Sequence, residues 1–283
     1  MERDPIVESL HPDSGLSATA RRIAQFIHAN RALTLASSAA DLAQRLDTSD
    51  ATIIRSIQAM GFESLAEMRQ TLVASLSPAS NPATALTRTI RDIGSDLPDA
   101  VGAILGTHAE MIAALQNPAT QERIVNAVRC LYPARRVAIF GIGPSTGLAD
   151  YMCRVLNRNG RSSFVIGTTG RAFADDLVSL REGDGLVVMA YGTLYREIAV
   201  LFQEASRLGL PIVLVTDRIQ AENVPPGTAI VSAMRGREEH IALHSATVAI
   251  LESIAFGLSV ADREQTIDAL DRLNQFRSRI EHF

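Results

Sequence analysis

Lysine is absent from the 283-residue chain, and all 27 basic positions are arginine. Together with abundant alanine this points to a GC-rich genome, an inference about codons and not about chemistry. Cysteine is nearly absent, with only Cys130 and Cys153. Two isolated thiols rule out a disulfide framework or a cysteine metal cluster. They read instead as small apolar packing residues in a reducing compartment. No apolar run is long enough to cross a bilayer. The opening Met1-Glu2-Arg3-Asp4-Pro5 lacks the apolar region of a signal peptide, so a cytoplasmic location is expected. Positive charge is not in surplus either. The formal net charge is −4, which argues against indiscriminate nucleic-acid binding and leaves room for a local contact surface.

What the chain does have is apolar content, 47% of residues, and a length that fits two domains. After a tail containing Pro5, Pro12 and Gly15, Ser17 is placed to cap a helix whose face is Ala20, Ile23, Ala24 and Ile27. A second helix starts near Ser38, with Asp41 completing a capping box and Ala39, Leu42, Ala43 and Leu46 on one side. Asp47-Thr48 turns the chain. Ser49 caps a third helix from Asp50 to about Met60, ended by Gly61. Helical spacing sends Ile53, Ile57 and Met60 inward and leaves Ala51, Thr52, Arg55 and Ala59 on the outer face. Ser64-Leu65-Ala66-Glu67 is a capping box for a fourth helix with the stripe Leu65, Met68 and Leu72.

Two short helices joined by a tight turn, the second with a small-residue outer face, read as helix-turn-helix. The same pattern also fits a plain helical bundle. Charge does not decide between them, because Leu16 to Leu72 holds six arginines against five acids. Arg21, Arg22, Arg31, Arg45 and Arg55 are available for phosphate contacts. The order Ser49-Asp50-Ala51-Thr52-Ile53-Ile54-Arg55, then Met60-Gly61-Phe62, with Asp41-Leu42-Ala43 upstream, resembles the helix-turn-helix of the RpiR/MurR family of bacterial transcription regulators. The resemblance spans Leu16 to Leu76. It implies a recognition helix that carries Ser49, Ala51, Thr52 and Arg55 to operator DNA.

Ser77-Pro78-Ala79-Ser80-Asn81-Pro82 marks a boundary. The expected organisation is a DNA-binding domain at 1–78, a linker and packing helix at 79–118, and a second domain at 119–283. From Arg136 onward strand and helix alternate. Strands are expected at Val137–Phe140, Ser163–Ile166, Gly185–Ala190, Pro211–Thr216 and Thr228–Ser232. A long helix is expected at His240–Leu258 and a last one at Glu264–Ile280. Near-continuous apolar strands separated by helices mean a parallel sheet covered by helices on both faces. Ligands of such sheets sit beyond the carboxyl ends of the strands. The loops Gly141–Thr146 and Ala190–Tyr195 and the pair Thr216-Asp217 emerge there. The first of these runs from a strand into a helix as Gly141-Ile142-Gly143-Pro144-Ser145-Thr146. Its glycines allow a sharp turn, and the helix N-terminus with two hydroxyls suits a phosphate or carboxylate. An ordinary βα turn would also use glycine here.

This half resembles a SIS (sugar isomerase) domain, the usual C-terminal partner of that helix-turn-helix. The first SIS motif, Gly-x-Gly-x-Ser, is present at Gly141, Gly143 and Ser145. The second, close to Ser-x-Ser-Gly-x-Thr before a glutamate, reads here Ala190-Tyr191-Gly192-Thr193-Leu194-Tyr195-Arg196-Glu197. Both serines are lost and tyrosine replaces the threonine. The resemblance implies a fold made of an all-α helix-turn-helix N-terminal domain joined to an α/β SIS-like domain. The implied ligand residues are Gly141, Gly143, Ser145 and Thr146, with Thr193 and Tyr195 replacing some of the lost contacts. Each lost hydrogen bond to a charged group forfeits about 1.5–3 kcal/mol, so the effector need not be a sugar phosphate.

Glu238, Glu239, His240 and His244 have the chemistry of acid–base groups, and as a charged helix start they suit the dipole equally. His240 and His244 have i, i+4 spacing but lack the His-Glu-x-x-His order, and Asp175-Asp176 fits a solvated helix face. No metal or cofactor and no catalysis are therefore expected. Tyr191 and Tyr195 leave the carboxyl end of a strand and are expected to line a pocket, the alternative being that they cover the sheet edge. The reading is a DNA-binding transcription regulator whose SIS-like domain senses a small anionic metabolite. It is expected to act as a homodimer or homotetramer, because one helix-turn-helix contacts one half-site, and to have no membrane partner. The alternatives are a SIS-type phosphosugar isomerase, and a regulator whose SIS-like domain serves only oligomerisation.

Overall fold

The computed structural model describes residues 6, 15–30, 34–35, 37–69, 82–192, 195–218 and 224–281. Leu72, the linker residues 77–81 and Thr193 lie outside the described residues. The chain divides into two compact units, Met1–Pro78 and Ala79–Phe283.

The first unit is helical. Helices α1 (Ala18–Ala29), α2 (Ala39–Arg45) and α3 (Asp50–Ala59) are followed by a helical turn at 65–69. Each start is fixed by a side chain. Ser17 Oγ accepts from the Ala20 N–H at 3.2 Å. Ser38 and Asp41 form a reciprocal capping box, and Ser49 Oγ accepts from the Thr52 N–H at 3.3 Å. These bonds satisfy donors that a helix start leaves without an intrahelical partner. The Ser64–Glu67 box is modified. Ser64 Oγ accepts from the Glu67 N–H, but the Glu67 carboxylate accepts from the N–H of Glu63 rather than of Ser64. Ile23, Ile27, Leu42, Ile53, Ile57 and Met68 are fully buried and form one core. Arg22 Nη2 donates to the Leu46 carbonyl at 2.8 Å and ties α1 to the turn after α2.

The second unit opens with α4 (Pro82–Ile93), α5 (Leu97–Ala114) and α6 (Pro118–Leu131). Strand β1 (Arg136–Phe140), α7 (Pro144–Arg158), β2 (Ser163–Ile166), α8 (Ala172–Val178), β3 (Asp184–Met189), α9 (Arg196–Arg207), β4 (Ile212–Thr216) and β5 (Ala229–Ser232) follow. Two helices, α10 (Ser245–Ala261) and α11 (Arg263–Glu281), end it. The strands form one parallel sheet in the order β2-β1-β3-β4-β5. Period-two alternation splits the core. Val137 and Ile139 pack with Ala149, Met152, Ile250 and Ile254 on one face. Ala138 and Phe140 pack with Phe173, Ile198, Leu201 and Phe202 on the other. Such two-sided burial is why these strands read as continuous apolar runs.

The start of one helix differs from expectation. The helix foreseen at His240–Leu258 begins only at Ser245, with His244 at its cap position. Glu238, Glu239 and His240 lie in the preceding loop, where Glu239 adopts a positive φ of 62°. The loop is held elsewhere. The Ile241 N–H donates to the buried Thr89 Oγ1 on α4 at 3.0 Å, and Glu239 pairs with Arg88. Helical spacing alone could not reveal a competing partner 152 residues away.

Candidate functional site

In the sheet order, β1 sits between β2 and β3, so the chain leaves it in opposite directions. The crevice at such a switch point, outside the carboxyl ends of the strands, is where open α/β sheets bind ligands. The Gly141–Thr146 turn follows β1 and the 190–195 loop follows β3. Gly141 has no room for a side chain, because a Cβ there would lie 2.6 Å from the Ser145 carbonyl oxygen. Gly143 caps α7 at φ 61°, ψ −132°, a conformation open essentially to glycine alone. No side chain caps this helix, so the partial positive charge of its N-terminus is not offset by a capping side chain.

The turn consumes some of its own donors. The Ser145 and Thr146 N–H groups donate to the Ile142 and Gly143 carbonyls, and Thr146 Oγ1 donates to the Gly141 carbonyl at 2.9 Å. Thr146 therefore clamps the turn, while Ser145 is nearly buried at its base, 5% exposed.

The second loop differs from expectation. Tyr191 does not line an open pocket. It is buried, and its hydroxyl shares a 2.8 Å hydrogen bond with Thr247 Oγ1 on α10. Burial is the main cause that pushes its pKa up to about 12. Tyr195 is exposed at the N-cap of α9. The Gly192 N–H donates to Asp217 Oδ1 at 2.8 Å, tying this loop to the end of β4.

Sequence reasoning missed Arg235. Its guanidinium lies over the Tyr191 ring, 4.2 Å from the centroid, and its Nη2 is 3.4 Å from His244 Nε2. His244 meets the same ring edge-on, at 5.7 Å between centroids. Burial first, and then the Arg235 charge, lower the His244 pKa below the ordinary 6.5. His244 thus stays neutral in the folded protein at a pH where it would be protonated when unfolded. The unfolded state binds more protons there, so this group costs stability as pH falls through about 6.5, down to its lower folded value. His244→Gln is expected to flatten the dependence of melting temperature on pH between about 7 and 5. An unchanged slope in thermal melts would show that His244 is not held neutral. A lone arginine after a short edge strand carries no signal at the level of sequence, since stacking on Tyr191 is a tertiary contact.

A cavity of about 200 Å³ lies between α4, α5 and the 236–243 segment, lined by Thr89, Ile104, Glu110, Arg237, His240 and Ile241. It does not include the glycine turn.

In the helical unit, Ser49, Ala51 and Arg55 are exposed and Thr52 is half-buried. Ser49 Oγ lies 2.9 Å from Thr52 Oγ1, and Arg55 Nε donates to the Ala51 carbonyl at 3.2 Å. The four residues foreseen at the DNA thus form two local pairs along the first turns of α3.

A compact helix-turn-helix unit joined to a five-stranded parallel-sheet unit with a glycine turn at its switch point defines a two-unit helix-turn-helix protein. Residues 8–79 match the helix-turn-helix domain of the rpiR family. The second unit has the fold of the sugar isomerase domain of an RpiR transcription factor from Sphaerobacter thermophilus. That similarity has a TM-score of 0.53 at 20% identity and covers 64% of this chain and 99% of that one. The Vibrio vulnificus NanR protein, solved in complex with ManNAc-6P, is similar over 98% of both chains, with a TM-score of 0.54 at 16% identity. The bifunctional protein glk of Burkholderia orbicola (strain AU 1054) is 23% identical over 217 residues, 76% of this chain and 32% of that protein. The chain thus spans about a third of the length of the curated relatives it matches.

Proposed function

We propose that this chain is a transcription regulator. Its rpiR-family unit binds operator DNA through Ser49, Ala51, Thr52 and Arg55, and its SIS-fold unit binds a small anionic effector at the carboxyl end of the sheet. The observation that carries the reading is the pairing of the family-matched helix-turn-helix with a glycine turn at the switch point of a parallel sheet. The NanR protein, similar over nearly its whole length, was solved with a sugar phosphate, which supports a metabolite of sugar type.

A sensor is favoured over an isomerase by how the candidate acid–base groups are engaged. Glu238 pairs with Arg218 at 3.0 Å, Glu239 with Arg88, and His240 Nε2 lies 3.2 Å from Asp92. His240 lines the cavity between α4, α5 and the 236–243 segment, which does not include the glycine turn, so it is not placed to shuttle a proton at the expected effector site. The turnover assay for this point is aldose–ketose interconversion of sugar phosphates, in which no rate above the uncatalysed one is expected.

The DNA-binding half is tested by gel shifts with the DNA upstream of the gene. Arg55→Ala is expected to weaken specific binding by about 1–3 kcal/mol without unfolding the protein, if the arginine reads a guanine edge. Wild-type affinity in a folded Arg55→Ala protein would remove Arg55 from the interface.

Reading two half-sites requires two copies. Helices α10 and α11 leave Phe256, Val260, Phe276 and Ile280 more than half exposed, an apolar surface suited to self-association. Light scattering on the full chain at micromolar concentration is expected to give a dimer or tetramer, and a strict monomer would contradict it.

A further inference from the structure

The cavity between α4, α5 and the 236–243 segment has a wall unlike the glycine turn. Ile93, Ala103, Ile104, Ile241 and Leu243 make it apolar. The two hydroxyls in it have their protons committed. Thr89 Oγ1 donates to the Ala85 carbonyl at 2.8 Å, and Thr107 Oγ1 donates to the Ala103 carbonyl at 3.0 Å. A polyol finds few partners there, and a hydroxyl left unpaired in an apolar site is costly. The volume is about 200 Å³. A dry cavity of about 150 Å³ takes benzene, so this one has room for a branched or single-ring side chain.

His240, Arg237 and Glu110 complete the polar part of the lining. His240 is engaged at both ring nitrogens, with the Glu238 carbonyl 2.9 Å from Nδ1 and Asp92 Oδ2 3.2 Å from Nε2. Arg237 and Glu110 differ from it. Among the described residues neither forms an ion pair, with the other or with any third group. The lining thus offers a cation and an anion beside an apolar wall. Gly106 of α5 also borders the cavity, and a Cβ there would meet no atom within 4 Å, so the wall is open at that point.

We propose that this cavity is a second ligand site, and that its ligand is a free α-amino acid with an apolar side chain of leucine or phenylalanine size. The Arg237 guanidinium takes the carboxylate, whose two oxygens match its planar fork. The Glu110 carboxylate accepts from the ammonium group, and the side chain fills the apolar space. A plain acid or a plain amine uses only one of the two charges. The ligand bridges α5 and the segment that joins β5 to α10, and the cavity also borders α4. Binding therefore holds these three segments together. The site is independent of the anion site proposed at the glycine turn, whose residues do not line it.

The test is isothermal titration of the full-length protein with L-leucine, L-phenylalanine, isovalerate, isoamylamine and glucose 6-phosphate. At least one of the two amino acids is expected to bind, and isovalerate and isoamylamine, which each keep one charge, to bind at least about tenfold more weakly. Arg237→Met and Glu110→Gln are each expected to weaken the amino acid about 10- to 100-fold. Gly106→Leu should abolish binding by filling the space. It should not lower the melting temperature, because its Cβ is unobstructed and leucine is the better helix former. Any binding of glucose 6-phosphate, directed to the glycine turn, should be indifferent to Gly106→Leu. If that variant weakens the phosphate and the amino acid alike, the cavity is not a separate site and the proposal falls. Isovalerate binding as tightly as leucine would overturn the amino-acid assignment. Amino-acid binding that survives Gly106→Leu, or no binding of either amino acid at millimolar concentration, would overturn the site.

Discussion

Gly141→Ala is expected to destabilise the second unit by about 1–3 kcal/mol and to lower effector affinity at least tenfold. The added methyl would lie 2.6 Å from the Ser145 carbonyl oxygen and 2.8 Å from its carbon, both backbone atoms, and 3.1 Å from the end of Met189. A flexible side chain could swing away, but the first turn of α7 cannot move without dragging Ser145 and the Thr146 clamp with it. Gly143→Ala is the control of different origin. Nothing obstructs its methyl, and the cost there is the strained φ of 61°, about 1–3 kcal/mol. Thermal melts and effector titrations on both variants separate crowding from strain. A Gly141→Ala protein that melts and binds like wild type would mean that the turn is not packed as described.

Ile57→Ala should remove about 2–5 kcal/mol from the helical unit. Its side chain is fully buried between α1, α2 and α3, with Ile23, Ile27, Leu42 and Ile53 around it. A unit of that size holds about 4–12 kcal/mol in total, so the substitution consumes a large share. DNA binding is expected to be lost together with helical signal on mild heating. This contrasts with Arg55→Ala, where binding falls and the fold persists. Circular dichroism followed alongside gel shifts distinguishes them. If Ile57→Ala melts with wild type, the core of this unit lies elsewhere.

The sequence by itself determined what depends on neighbours close along the chain. Ser17, Ser38, Ser49 and Ser64 cap the helix starts they were expected to cap, because a cap needs only a hydroxyl three residues from an N–H. The inward set Ile53, Ile57 and Met60 follows from the 3.6-residue repeat. The five strands appear within one residue of expectation, since two-sided burial writes itself as an apolar run. Gly141 and Gly143 were legible because a backbone conformation or a close approach demands that residue type.

Only the tertiary structure decided what depends on residues far apart. The 236–244 loop leaves the helical pattern because Thr89 and Arg88, about 150 positions earlier, supply its hydrogen bond and its charge partner. Tyr191 turns inward because Thr247 offers a buried partner for its hydroxyl. Arg235 gains its meaning from stacking on that same ring. Local periodicity and capping are short-range and leave a trace in sequence. The pairing of polar groups across a fold is set by three-dimensional proximity, to which a linear pattern is blind.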